Sequence, residues 1–227
     1  MTREKRKKKD LEWILASASP RRSEILQQLN LQFIIDPCRD PEPPRKPRES
    51  PSRYVTRVAR LKAAAVALRH PSGRIIAADT IVVVNDVIMG KPVDRADAEV
   101  MIRRLNGRRH EVLTGLCLTD ATSAYSAGSS TAAAPRHTVA ACTRSRVHFR
   151  RMSTAEIDWY LDTGEYQDKA GAYGIQGFAS LFIDRIEGCY FNIVGFPVSS
   201  FAQLCRRLDG NGADRIFQQR RNNSQAG

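Results

Sequence analysis

One aspartate sits inside an otherwise apolar run, Ile75-Ile76-Ala77-Ala78-Asp79-Thr80-Ile81-Val82-Val83-Val84. Aspartate is depleted in strand interiors, and an ionised carboxylate there costs several kcal/mol unless something pairs with it. A salt bridge would answer that cost structurally. A metal ion, or a proton drawn from water, would answer it chemically. After a turn at Asn85-Asp86, Gly90-Lys91-Pro92 holds a lysine that a hairpin could return to the same cleft, although a lysine in a turn is commonly just solvated.

Two other stretches carry candidate chemistry. Leu15-Ala16-Ser17-Ala18-Ser19-Pro20-Arg21-Arg22 passes from strand to helix through small residues. Backbone N–H groups at a helix start carry partial positive charge, so the segment is either an anion seat or an ordinary capped helix with exposed arginines. Ser17 and Ser19 would add hydroxyl donors, and Arg22 could hold a phosphate oxygen in fork geometry. Further on, Asp168-Lys169-Ala170-Gly171-Ala172-Tyr173-Gly174-Ile175-Gln176-Gly177 mixes glycine and alanine with charged and amide groups. Glycine permits close backbone approach to a ligand, and Gln176 could bond a planar base edge; a glycine-rich turn without a ligand is the alternative.

The elements that would position these residues alternate between strand and helix, which gives an α/β fold with a mixed, twisted sheet because hairpins are present. The pattern predicts a strand over 11–16, a helix from Pro20 to Leu29, and a loop from Asp36 to Pro51 with six prolines. Tyr54, Val58, Leu61, Ala65 and Leu68 recur at helical spacing and are expected to face the core. Strands are expected over 74–84 and 87–89, a helix over 94–105, and a hairpin from 112–119 with 144–149. Residues 121–143, rich in Ala, Ser and Thr, read as a flexible surface insertion. Ser153-Thr154-Ala155-Glu156 has capping-box spacing for a helix ending near Gly164. Strand-like pieces follow at 180–186, and a last helix begins at Pro197 with Val198, Phe201, Leu204 and Leu208 inward.

The net charge of +12 is concentrated at the ends: residues 1–10 contribute +4 and residues 206–227 contribute +3, so the body carries +5. Residues 1–10 and 209–227 are therefore expected to be disordered tails around a single domain over 11–208. Lys5-Arg6-Lys7-Lys8-Lys9 reads as a solvated end, with a nuclear signal or an anionic-polymer tether as the alternatives. Five scattered cysteines without CxxC spacing suit a reducing, cytoplasmic setting and argue against a zinc site. No apolar run reaches the roughly 20 residues of a membrane span, and no signal peptide is expected.

Taken in order, the words Leu15 to Arg22, Ala78-Asp79-Thr80, Gly90-Lys91-Pro92, Thr114-Gly115, Asp168 to Gly177 and Gly195-Phe196-Pro197 resemble those of the Maf family of nucleotide pyrophosphatases. The resemblance covers residues 11 to about 207. It implies one α/β domain with a cleft between two lobes, a homodimer, and Mg²⁺ or a similar cation such as Mn²⁺. It implies release of pyrophosphate from nucleoside triphosphates, as house-cleaning of the nucleotide pool. Asp79 matches the family's proposed base, and Ser17, Arg22, Lys62 and Lys91 its phosphate-contacting set, with Lys91 also counted in the catalytic group. Glu42 matches an acidic residue near the metal, so Asp79 and Glu42 are the implied metal ligands. Lys169 falls in the substrate-binding set through its motif. Arg21, Thr80 and Gln176 resemble the subfamily that favours dTTP and UTP, whereas a sister subfamily prefers 7-methyl-GTP. Departures are Phe196 where leucine is usual, the insertion, both tails, and a proline-rich loop at 41–51 one residue longer than the family's.

Two rival readings remain. One is a phosphatase releasing orthophosphate stepwise. The other is a nucleic-acid-binding or cell-division regulatory module, suggested by the basic tails; the 7% aromatic content lacks the aromatic–basic interleaving of RNA recognition, so no nucleic-acid partner is expected.

Overall fold

The computed structural model describes residues 12–121 and 137–209. Residues 1–10 and 210–227 of the proposed tails and 122–136 of the proposed insertion lie outside the described residues, while Asp209, placed in the tail by the sequence, closes the last helix. Along the chain run β1 (Trp13–Leu15), α1 (Pro20–Gln28), β2 (Phe33–Ile35), α2 (Pro51–Arg69), β3 (Arg74–Val84), β4 (Val87–Met89), α3 (Arg95–Leu105), β5 (Arg109–Asp120), β6 (His137–Phe149), α4 (Thr154–Asp162), β7 (Ile183–Glu187), α5 (Tyr190–Val194) and α6 (Val198–Asp209). Short 3₁₀ turns occupy Ala170–Ala172 and Phe178–Phe182.

The strands form one mixed sheet in the order β2-β1-β3-β5-β6-β7, with β4 on β3. The first three strands are parallel and the remaining pairs antiparallel. β3 is central, and its apolar run reflects cover on both faces. Side chains alternate across a strand. Ile75 and Ala77 therefore pack with Ala59, Ala63 and Val66 of α2, while Ile76 and Ala78 pack with Leu26 of α1 and Phe201 and Leu204 of α6. Farther along, Ile81 and Val83 meet Val55 of α2, and Val82 and Val84 join a cluster with α3 and α4.

Local signals explain the helix starts. Pro20 and Pro51 occupy first-turn positions, where a missing N–H costs nothing. Ser50 and Asp94 cap α2 and α3, and Ser153 with Glu156 completes a capping box. The hairpin after β3 turns through Asn85 and Asp86, both left-handed at φ 50° and 60°, as a two-residue turn between twisted strands requires.

Three expectations are corrected. The inward face of α2 is carried by Val55, Val58, Ala59, Ala63, Val66 and Ala67, whereas Leu61 and Leu68 are 48% and 71% exposed. Small residues let the helix approach the sheet closely, so the larger leucines were the wrong guide. Residues 137–143 are not insertion but the first half of β6, paired with β5 through Asp120↔His137 to Thr114↔Thr143. Backbone ladder bonds sustain this half of the strand, whose Ala and Thr side chains are only partly covered. The strand-like segment at 180–186 divides into the 3₁₀ turn Phe178–Phe182 and β7. Two further elements, β2 and α5, have no periodicity to reveal them, being three and five residues long.

Gly115 sets the distance between α2 and the sheet. A Cβ there would lie 2.4 Å from the carbonyl oxygen of Val55 and 2.8 Å from the nitrogen of Thr56. These are backbone atoms that cannot swing aside. Gly115→Ala should therefore lift α2, destabilising the protein by about 1–3 kcal/mol as overpacking does; an unchanged denaturant midpoint would contradict this account of the packing.

Behind the glycine-rich loop, buried His110 on β5 meets the Tyr173 hydroxyl at 2.8 Å, in a cluster of edge-on rings with Phe149. Burial pushes His110 down to about 3. The native ring stays neutral where the unfolded chain, near 6.5, takes up a proton. Its contribution is thus complete above about pH 6.5 and is lost as pH falls towards 3, at up to about 1.4 kcal/mol per pH unit. His110→Gln, which can still bond Tyr173, should flatten the stability curve between pH 6.5 and 4.5 in denaturant titrations; an unaltered slope there would refute the assignment.

Candidate active site

β3 continues past the end of β1. On that edge β1 pairs with Arg74 to Ile76 and β4 with Val82 to Val84, so among the described residues no strand lies against residues 77–81 there. In open α/β sheets the crevice at the carboxyl end of such a strand is a natural ligand seat. Asp79 and Thr80 stand at this gap, and alternation sends them to opposite faces of the sheet.

On the α2 face, Lys62 Nζ donates to Asp79 Oδ1 at 2.7 Å and to Glu42 Oε1 at 2.6 Å. One ammonium therefore bridges two carboxylates. The Asp79 side chain is 7% exposed, Lys62 17% and Glu42 53%, so the trio reaches from the sheet interior to solvent. Burial, together with the Glu42 charge, pushes Asp79 above the usual carboxylate range against the pull of Lys62. Burial also disfavours charge on the other two, but Asp79 and Glu42 hold Lys62 high, and Lys62 holds Glu42 low. The Tyr54 phenol is pushed up by burial and by both carboxylates, which marks it as a neighbour of the same cluster. The second Asp79 oxygen, Oδ2, is buried and has no hydrogen-bond partner among the described residues.

On the opposite face, Arg22 closes the gap in the ladder. Its Nε donates to the Gly195 carbonyl at 3.0 Å, Nη1 to Ser17 Oγ and the Ala78 carbonyl at 2.9 Å each, and Nη2 to Thr80 Oγ1 at 3.0 Å. Most of the fork that the sequence assigns to phosphate thus holds protein groups together. Burial lowers the Arg22 guanidinium while the charges of Asp79 and Glu42 support it. Ser17 Oγ also accepts from the Ser19 N–H at 3.2 Å, inside the loop that opens α1. The Gly-Phe-Pro word is legible here: Gly195 ends α5 at φ 111° and offers its carbonyl to Arg22, and buried Phe196 packs on Phe201.

The remaining predicted residues surround these two groups without touching Asp79. Lys91 is 68% exposed, 3.9 Å from Asp168, and its charge contributes to holding Glu42 low. The loops carrying them are joined where the Gly171 N–H donates to the Gly90 carbonyl at 2.9 Å. Lys169 donates to the Glu165 carbonyl, and burial followed by the Arg21 charge presses it below the usual lysine range, so Arg21 and Lys169 are electrostatic neighbours. Gln176 is exposed. Its loop is held by Glu165, a residue the sequence did not single out. That carboxylate accepts from the N–H groups of Phe178 at 2.6 Å and Ala179 at 3.3 Å, and a Cβ on Gly177 would lie 1.9 Å from it. Glu165 lies three residues before the Asp168–Gly177 motif, and no local signal marks it.

A cavity of about 510 Å³ opens on the outer side of α2, where Glu42 and Lys62 join Leu61, Leu68 and Pro41 in its wall. Among the described residues no group of three or more His, Cys, Asp and Glu could hold a metal. Two carboxylates with one unpaired buried oxygen nevertheless suit a hard cation that takes its other ligands from phosphate and water.

Comparison with known proteins agrees with the order of the motifs. A family model described as Maf-like protein matches residues 12–208. The dTTP/UTP pyrophosphatase of Syntrophomonas wolfei is 44% identical over 194 residues, covering 85% of this chain and 96% of that protein. The protein of the same name from Koribacter versatilis is 44% identical over 86% of this chain and 93% of its own length. That from Pyrococcus furiosus is 38% identical over 90% and 98%. With the motifs gathered on one strand gap and the match running through the whole described domain, the chain belongs to the Maf family.

Proposed function

We propose that this protein hydrolyses dTTP and UTP, and modified pyrimidine nucleotides of the same shape, to the monophosphate and pyrophosphate. The observation that carries the reading is the buried Asp79 with one oxygen on Lys62 and the other unpaired, beside Glu42. Relatives named for this activity span most of their own length in the match, which supports carrying the substrate class over.

In this reading water attacks the α-phosphorus in line and pyrophosphate leaves. The barrier is electrostatic, because the nucleophile approaches an anion and the leaving group gains charge. Lys62, already placed between two carboxylates, offers its ammonium to the phosphate side of the crevice. Lys91 and Lys169 supply mobile positive charge from the loops. Asp79, held above the normal carboxylate range, is suited to take the proton from water. Arg22 and Ser17 shape the α1 entrance, and Arg21, Thr80 and Gln176 are assigned to the base. Asp79 and Glu42 would hold Mg²⁺ or Mn²⁺, which when bound would neutralise phosphate charge and lower the pKa of a bound water. A homodimer and a cytoplasmic site of action complete the proposal.

Two outcomes test it. Purified protein with Mg²⁺ should release pyrophosphate, not orthophosphate, from dTTP and UTP, and lose that activity with EDTA; orthophosphate as the first product would favour the rival phosphatase. Asp79→Asn should lower kcat about 10²-fold or more. Its thermal midpoint should fall, because the Lys62 ammonium loses one of its two carboxylate counter-charges. Full turnover in that variant would remove Asp79 from the chemistry.

A further inference from the structure

Thr114, directly opposite Thr80 on β5, belongs to a motif word for which the mechanism has no use. Its hydroxyl lies 2.9 Å from Thr80 Oγ1 and donates to the main-chain carbonyl of Asn192 at 3.1 Å. That carbonyl is fixed, because the Asn192 side chain is buried and donates to the Val112 carbonyl and to Ser145 Oγ, both at 3.0 Å. At the other end, Arg22 Nη2 donates to Thr80 Oγ1. A guanidinium can only donate and a carbonyl can only accept. The chain of bonds therefore runs one way, from Arg22 to Thr80 to Thr114 to the Asn192 carbonyl. Run in reverse, Thr114 would forgo that carbonyl, and the Thr80 proton would have no acceptor in the chain. Such chains reinforce one another in a low-dielectric interior.

We infer that Thr114 is a specificity-positioning residue: by taking the Thr80 proton, it leaves Thr80 able to meet a ligand only as a hydrogen-bond acceptor. A threonine hydroxyl has one proton and two lone pairs. Here the proton goes to Thr114 and one lone pair to Arg22, and Thr80, only partly buried, keeps the second lone pair. Uracil and thymine carry a proton at N3, whereas N3 of cytosine is an acceptor. An acceptor-only Thr80 would favour the first two and leave an unpaired acceptor against the third. A site built around a particular hydrogen bond rejects the analogue lacking it strongly. This deepens the pyrimidine reading and rests on Thr80 facing the base.

The experiment measures kcat/KM for pyrophosphate release from UTP, CTP and N3-methyl-UTP with Mg²⁺, in the wild type, Thr114→Val and Thr114→Ser. The wild type should turn over UTP at least about tenfold better than either analogue, the scale of one hydrogen bond with its partner left unpaired. Thr114→Val frees the Thr80 proton, so the CTP-to-UTP ratio should rise about tenfold, while Thr114→Ser, which keeps a hydroxyl, should restore the wild-type ratio. If Thr114→Val lowers both rates equally, Thr114 serves packing alone and the inference is overturned. If that variant does not fold, the wild type still decides: N3-methyl-UTP turned over as fast as UTP overturns it too. Absence of pyrophosphate from UTP and dTTP alike would instead refute the proposed function, a result distinct from both.

Discussion

The structure turns on a carboxylate placed where an apolar strand would otherwise run unbroken. Asp79 lies on the central strand, on the face covered by α2, and it is tolerable there because Lys62 arrives at 2.7 Å. Removing one partner of a buried pair typically costs more than the pair contributes, because the survivor is left without its counter-charge. Several features of the fold serve this meeting. Gly115 lies opposite Asp79 in the β3–β5 register and admits the backbone of α2. The small residues of α2 let it settle on the strand, and Pro51 with the Ser50 cap fixes where the helix starts. Site and core are thus one packing solution.

The same gap in the sheet gives the adjacent positions 79 and 80 opposite duties. Alternation turns Asp79 towards the ionic cluster with Lys62 and Glu42, and Thr80 towards the neutral hydrogen-bond chain that begins at Arg22. Arg22 joins the two faces. It takes the Ala78 carbonyl, which lacks a strand neighbour on that edge, and stays within the fields of Asp79 and Glu42. A residue expected to grip phosphate thus spends most of its donors on the walls of the crevice. Preorganisation of this sort is what electrostatic catalysis needs, since donors already fixed need no reorganisation during reaction.

How much of this could be read from the residues depends on the length scale of each cause. Helices α3 and α4 and the turn at Asn85-Asp86 were legible because their causes are local: a cap, a capping box, two residues that accept positive φ. The face of α2 was not, because Leu61 and Leu68 mimic a core stripe and line an outer cavity instead. The first half of β6 was missed because its order comes from pairing with β5, a partner that propensity cannot see. In the site, Asp79 declared itself by being out of place, but its bond to Lys62 spans the interval from α2 to β3, and only resemblance to a family pointed there. Glu165 and Asn192 left no trace, since what they do is hold backbone groups of distant segments.

That difference separates two kinds of functional residue. A buried charge violates a local rule, so it stands out in a single sequence; a residue that merely fixes another obeys every local rule, and its purpose exists only in three dimensions. Thr114 is of the second kind, a threonine on a strand where threonine is ordinary. Its consequence follows from counting protons along Arg22, Thr80, Thr114 and the Asn192 carbonyl. The direction of the chain is set at its ends, by one group that can only donate and another that can only accept. Selectivity at position 80 is then a property of the fold as much as of the threonine itself, and the same residue type at that position in a different surround need not recognise the same base.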